Sequence, residues 1–275
     1  FVQVDVPASW ADASDVKTAV CENGPEKLVK MVDNIMKPVG LMNGYELPVS
    51  AFTDHADGTF EQGASAFEKR GVAVMVPVWN NETCVGCNKC AFVCPHATLR
   101  PFALSEDEKA KAPVNTKYAV KEKMVAAKGY SYALTVSPLD CMGCGVCVGV
   151  CPTASLKMVS QESQLDEQNV FDYCVANVTE KKDVATDANV ITSQFKKPLL
   201  EFSGSCAGCA ETSYARLITQ LFGDRMYISN ATGCSSIWGG PAATSPYTTN
   251  AEGHGPAWAN SLFEDNAEHG YGMYL

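Results

Sequence analysis

Thirteen cysteines are spread along 275 residues, and eight of them fall into two runs of one spacing. Cys84 to Pro95 reads C-x2-C-x2-C-x3-C-P, and Cys141 to Pro152 repeats it. Thiolates at this spacing are ligands for iron–sulfur clusters. In chains with two such runs, the fourth cysteine of each ligates the other run's cluster. The spacing therefore predicts two [4Fe–4S] sites. One takes Cys84, Cys87, Cys90 and Cys151, the other Cys141, Cys144, Cys147 and Cys94. The chemistry this implies is electron transfer. Zinc fits the pattern poorly, because structural zinc sites pair two C-x2-C knuckles and do not use a four-cysteine run closed by Cys-Pro.

A second cysteine set follows. Cys206 and Cys209 are again C-x2-C, and Cys234 comes later in ATGCSS. Three thiols offer three corners of a third [4Fe–4S] cluster, which needs a fourth ligand. Cys21 and Cys174 lie in no ligand motif and read as small buried apolar residues. His96 follows the first Cys-Pro, but its counterpart in the repeat is Thr153, so it reads as no ligand. His55, His254 and His269 show no metal spacing, and His254 sits on a Gly-Pro turn in EGHGP. The chain carries no Ser-His-Asp constellation, no P-loop and no G-x-G-x-x-G fingerprint.

The elements that must position these thiols are legible from periodicity. Val72, Val74, Val76 and Val78 alternate before the first run, and Tyr132, Leu134 and Val136 before the second, predicting strands that enter each run. Leu99 and Leu156 predict strands that leave them. Gly86 and Gly143 keep the loops slim, so that backbone N–H groups can approach sulfur. Upstream, Leu28, Met31, Val32, Ile35 and Met36 recur at helical spacing after Pro25, and 45–70 reads as loop laid on the cluster unit. Residues 103–130 read as an inserted surface loop with a helical turn. Tyr214, Leu217, Ile218 and Leu221 predict the apolar face of a helix stopped at Gly223. Cys209 then lies at its N-terminus, where the backbone field favours a thiolate. Met226 and Ile228 predict a strand delivering Cys234 in a Gly-Cys-Ser loop.

Composition sets the surroundings. A net charge of −10 leaves no basic stripe for nucleic acid. No run of about 18 apolar residues offers a membrane span. Abundant cysteine without an apolar signal peptide predicts a reducing, cytoplasmic setting, or a reducing organelle such as a hydrogenosome.

CVGCNKCAFVCPHATLRPF and CMGCGVCVGVCPTASLKMV align without a gap and resemble the halves of bacterial two-cluster ferredoxins. More broadly, SAFTDHADGTFEQGASAFEKRGVAVMVPVW, the two runs, SGSCAGCAETSYARLITQLFGDRMYISNATGCSSIWGG and EGHGPAWANSLFEDNAEHGYGM are similar to the C-terminal half of the pyruvate:ferredoxin (flavodoxin) oxidoreductases. The resemblance implies an enzyme in which thiamine diphosphate attacks pyruvate or another 2-oxo acid and coenzyme A accepts the acetyl group. It further implies electrons passing from a proximal cluster through two ferredoxin-type clusters to ferredoxin or flavodoxin, in a homodimer when complete. Cys206, Cys209 and Cys234 then match three proximal ligands, the fourth coming from outside this chain. Gly233, Ser235, Ser236 and Trp238 would line the thiamine side. The Gly-Asp-Gly…Asn segment for magnesium and diphosphate is absent, so the chain reads as a fragment or one piece of a split enzyme, not itself catalytically complete. The fold class expected is α+β, with 1–22 ending a preceding domain and 23–70 a helical linker domain. A pseudo-twofold two-[4Fe–4S] ferredoxin-like domain follows over 71–180, and the incomplete start of an α/β thiamine-diphosphate-binding domain over 181–275. A stand-alone ferredoxin-like carrier with an unrelated C-terminal extension is the alternative.

Overall fold

The computed structural model describes residues 2–8, 24–241 and 244–275. Cys21 and most of the stretch 1–22 lie outside these residues.

The cysteine-rich centre is built from two short antiparallel sheets. Strand β1 (Met75–Trp79) pairs with β4 (Leu156–Ser160), and β2 (Leu99–Leu104) with β3 (Ser131–Val136). The strand entering the first run therefore pairs with the strand leaving the second, and the reverse. The exchange repeats in single hydrogen bonds. Asn80 N–H donates to Ser155 O at 2.8 Å, and at the corresponding positions Ser137 N–H donates to Thr98 O at 2.8 Å. A short helix carries the third cysteine of each run, α3 (Lys89–Phe92) with Cys90 and α5 (Val146–Gly149) with Cys147. Each is entered from a left-handed residue, Asn88 or Gly145. One core joins the halves, with Trp79, Leu99, Tyr132, Leu134, Val136 and Leu156 among its buried members.

The first predicted strand is shorter than the valine alternation suggests. It starts at Met75, and Val72 and Val74 are exposed. Here the chain turns to hand Gly71 N–H to Leu139 O, so those valines lie outside the paired segment. The helical turn expected in the inserted stretch is α4 (Glu106–Lys111), which Ser105 caps in a reciprocal box with Glu108. After the second run, α6 (Glu167–Asn177) packs on β3.

Upstream, α1 (Glu26–Met31) runs through a π-helical stretch (Val32–Met36) into α2 (Lys37–Gly40). The five predicted apolar residues are all buried there. The 45–70 segment folds into 3-10 turns that close over this helix through Phe60, Ala64 and Phe67, and just beyond them Lys69 reaches the second cysteine run by pairing with the buried Asp140 at 2.5 Å. Beyond α7 (Val190–Ser193), helix α8 (Ala210–Phe222), the parallel pair β5 (Tyr227–Asn230) and β6 (Ala257–Asn260), α9 (Cys234–Gly239) and α10 (Asn266–Tyr274) complete the order.

Helix α8 reverses the predicted orientation. Its buried residues are Thr212, Arg216, Thr219 and Gln220, while Tyr214, Ile218 and Phe222 are exposed. The polar side faces inward because loops there need partners. Thr219 Oγ1 accepts from Leu199 N–H at 3.1 Å, and Gln220 donates to Lys196 O at 2.8 Å. Gly223 is no left-handed stop either. Its φ is −59°, and a Cβ would sit 3.0 Å from Leu199, so close packing explains the glycine.

Candidate iron–sulfur centre

Each run folds around its thiols through the same backbone device. Gly86 and Gly143 both take φ +70°, a left-handed conformation that costs a side-chain-bearing residue about 1–2 kcal/mol. Space adds a second reason for glycine. A Cβ at Gly86 would lie 2.3 Å from Cγ of Glu122, and one at Gly143 would lie 3.0 Å from Met75 O. The turn aims Gly143 N–H at Cys141 Sγ at 3.4 Å, and after the second Cys-Pro pair Ser155 N–H points at Cys151 Sγ at 3.2 Å. Ala97 and Ala154, after the two Cys-Pro pairs, share φ near +50° (55° and 49°).

The exchanged strands bring the fourth cysteines across. Burial pushes the Cys141 thiol up to about 12, opposed by Gly143 N–H and reinforced by the neighbouring Cys94 and Cys144. Burial likewise raises Cys147 to about 12, with Cys94 its largest thiol influence. Cys84, raised by burial, has Cys87 and Cys151 beside it. Cys151 is the exception. Burial would raise it, but N–H groups of Thr153 and Ser155 hold it below its ordinary value. Cys90, driven well up by burial, has Cys147 as its foremost thiol neighbour, since α3 and α5 pack together. The two four-cysteine groups therefore meet at Cys90 and Cys147.

These donor sets fit iron–sulfur clusters. Several thiols, each raised by burial and by the others, become thiolates together only around cationic charge, which an iron core supplies. Backbone N–H groups pointed at sulfur are what such a core needs as its outer contacts. Among the described residues, no three of Cys, His, Asp and Glu are arranged to hold a single metal ion.

The third cysteine set adjoins the second group. Cys209 caps α8, its N–H bonded to Cys206 O at 3.1 Å. Gly208 between them lies against Cys144, where an added Cβ would be 3.6 Å from Cys144 Cβ. Cys234 begins α9 instead of lying in a loop. Ser236 Oγ accepts from Gly233 N–H at 2.9 Å and donates to Gly233 O at 2.6 Å, which starts the helix there. Ser235 is half-buried beside it, and Trp238 is core, packed with Leu200 and Tyr247.

Sequence reasoning set His96 aside as a ligand and found it no other task. Its ring Nε2 contacts Ser205 O at 3.0 Å and Ser205 Oγ at 2.9 Å, and its carbonyl accepts from Phe202 N–H. It pins the strand leading to Cys206 onto the first run. Arg216 and Glu122 were also missed, and only their burial marks them. A cavity of about 830 Å³, between the segment after α6 and α8's partner loops, is lined by none of the described cysteines. No helix of the described residues is long and apolar enough to cross a membrane.

Comparison with known proteins agrees with this geometry. Residues 83–155 match the 4Fe–4S dicluster domain, and residues 14–73 match a domain of unknown function. A pyruvate-flavodoxin oxidoreductase of Klebsiella pneumoniae is 53% identical over 275 residues, covering 99% of this chain and 23% of that protein. The pyruvate:ferredoxin oxidoreductase of Moorella thermoacetica is 49% identical over 99% of the chain and 23% of its own length. A mitochondrial pyruvate dehydrogenase [NADP(+)] of Euglena gracilis is 44% identical over 98% of the chain, which spans 14% of it. Over nearly its whole length, the chain is homologous to one segment of the pyruvate-flavodoxin and pyruvate:ferredoxin oxidoreductases, and it spans 23% of those relatives.

Proposed function

We propose that this chain is the electron-transfer segment of a 2-oxo acid oxidoreductase, acting on pyruvate and acetylating coenzyme A in the complete enzyme. Two [4Fe–4S] clusters occupy the groups Cys84, Cys87, Cys90, Cys151 and Cys94, Cys141, Cys144, Cys147, and a third takes Cys206, Cys209 and Cys234 with a ligand from elsewhere. The observation that carries the reading is the spatial series of thiols. The Cys206–Cys209 turn rests on Cys144, and Cys147 faces Cys90. That order supports a path from the third site, through the Cys94 group, to the Cys84 group and out to ferredoxin or flavodoxin. The clusters supply the one-electron carriers. The protein supplies burial, thiolates and N–H donors, and sets the groups in that order.

The exposed Cys234 at the start of α9, beyond the carboxyl end of β5, lies where parallel sheets bind ligands. Gly233, Ser235 and Ser236 are there, and we place the thiamine side of the enzyme at this edge, over 181–275, with 71–180 as the two-cluster unit. A reducing, cytoplasmic compartment suits so many free thiols.

The ligand assignment is tested by double deletion after anaerobic reconstitution. Wild-type chain should hold about eight irons in the two ferredoxin-type sites. Cys84→Ala with Cys151→Ala removes two ligands of one set and should leave about four irons in the other. Cys84→Ala with Cys94→Ala damages both and should leave fewer. The opposite ranking would show that each run closes on itself. Binding of zinc in place of iron, with no visible charge-transfer absorption, would overturn the electron-transfer reading.

A further inference from the structure

The repeat places two cluster sites in nearly equivalent scaffolds, yet the buried charges that lack an ion-pair partner beside them are opposite, since Asp140 next to Cys141 is already paired with Lys69. Arg216 lies beside the Cys94 group, 2% exposed, on the inward face of α8. Its guanidinium donates only to neutral acceptors, Gln194 Oε1 at 3.0 Å, Gln220 Oε1 at 2.8 Å and Phe92 O at 2.7 Å. Phe92 ends α3, two residues before Cys94. Arg216 Nε has no partner, and among the described residues no carboxylate forms an ion pair with it. Burial lowers it to about 10, and Cys94 is the anion-forming group that works against this. A buried guanidinium without a counter-ion is costly. Of the two groups whose charge acts on it, Arg100 is itself a cation paired with Glu201, so the counter-charge left for Arg216 is the cluster held through Cys94.

Beside the other group the sign is reversed. Glu122 is 6% exposed, and its Cγ lies against Gly86, between Cys84 and Cys87. Its carboxylate accepts from the N–H groups of Met124, Val125 and Ala126, and no Lys or Arg among the described residues pairs with it. Glu122 also neighbours Tyr132, which faces Cys90, Cys84 and Cys87.

We propose that Arg216 and Glu122 set the two cluster potentials apart, Arg216 raising that of the Cys94 group and Glu122 lowering that of the Cys84 group. This rests on the cluster assignment above. Reduction adds one electron and no bond to a cluster, so its total charge falls by one. A fixed positive charge nearby in a dry interior favours that state, and a fixed negative charge opposes it. The Cys94 group is also the one touched by the Cys206–Cys209 turn. An electron arriving from that side therefore rests on the inner cluster, and passes to the outer one when an acceptor withdraws charge there. Arg216 and Glu122 are positioning residues that act through the field, not through contact with substrate.

The test is a redox titration of the full chain, loaded anaerobically and followed by electron paramagnetic resonance, with dithionite as the reductant. Wild type should show two separated midpoints. Arg216→Gln should lower the upper midpoint by about tenfold in the one-electron equilibrium, about 59 mV, and move the lower one much less. Arg216→Lys keeps the charge and should leave the upper midpoint near wild type. Glu122→Gln should raise the lower midpoint alone. If Arg216→Gln loads poorly, the lysine and Glu122 variants decide. The proposal is overturned if Arg216→Gln loads fully with both midpoints unmoved, if Arg216→Lys shifts as far as the glutamine variant, or if Glu122→Gln moves the upper midpoint. A wild-type chain that takes up no iron would sink the cluster assignment itself, whereas two loaded clusters of equal potential would sink only this inference.

Discussion

Gly86 and Gly145 take nearly the same backbone angle, φ +70° and +73°, but only Gly86 is hemmed in. Alanine at Gly145 meets open space and suffers only the left-handed penalty, about 1 kcal/mol. Alanine at Gly86 adds a clash with Glu122 Cγ at 2.3 Å. Gly145→Ala should therefore keep both clusters. Gly86→Ala should lose the one built on Cys84, Cys87 and Cys90, dropping bound iron from about eight to about four per chain. Iron and sulfide analysis after gel filtration measures both. Equal iron in the two variants would show that the Glu122 contact is not what fixes this loop.

At the scale of elements, α4 is fastened by one carboxylate. Glu108 accepts from Ser105 N–H at 2.8 Å, Thr179 N–H at 2.9 Å and Lys181 Nζ at 2.7 Å, tying the cap to the segment after α6. Partial burial would raise its pKa, but the Lys181 ammonium and these N–H donors bring it to about 2 from an ordinary 4.5. The folded pKa is the lower one, so the unfolded chain binds more protons as pH falls. The stability from Glu108 is fully present above pH 4.5 and is lost as pH falls towards 2. Glu108→Gln should cost roughly 1–3 kcal/mol near neutral pH. It should also flatten the decline in denaturation midpoint below pH 4.5. An unchanged pH profile would mean another carboxylate controls acid unfolding. Helix α8 gives a complementary expectation. Ile218 is 45% exposed and Thr219 is 2% exposed. Ile218→Gln should alter stability by no more than ~0.5 kcal/mol, whereas Thr219→Val leaves Leu199 N–H without an acceptor and should cost about 1–3 kcal/mol. Thermal melts of the two variants decide which face is inside.

For the whole molecule, the join between the cysteine-rich centre and the C-terminal part is polar. Arg100, on β2, pairs with Glu201 in a site where the two side chains are 8% and 6% exposed. The same guanidinium lies over Phe171 at 5.3 Å and Phe202 at 5.1 Å. His96 and Ser65 bond the same stretch, His96 to Ser205 and Ser65 to Glu201 O. Breaking a buried pair from one side strands a charge. Arg100→Met should thus cost about 3–5 kcal/mol, and combining it with Glu201→Leu should recover much of the loss. Denaturant unfolding of the two single variants and the double variant closes that cycle. An additive double variant would mean that the two residues do not act as a pair.

What the sequence by itself determined was chemistry carried by local spacing. The cysteine runs, the glycines two residues into each, the strands starting at Leu99 and Leu156, and the helix from Leu28 to Met36 are all set within a few residues, and periodicity reports them. Where partners come from far along the chain, spacing is silent. The valines at 72 and 74 alternate like strand residues, but a strand exists only where β4 supplies a partner. The apolar stripe of α8 was visible, but which side faces inward depended on distant loops around Lys196 and Leu199 that needed hydrogen bonds. Arg216 and Glu122 look like ordinary charged residues of a helix and a loop. Only the tertiary structure puts them in a dry interior beside thiols, because burial and the sign of a local field are properties of the assembled neighbourhood and not of any one residue.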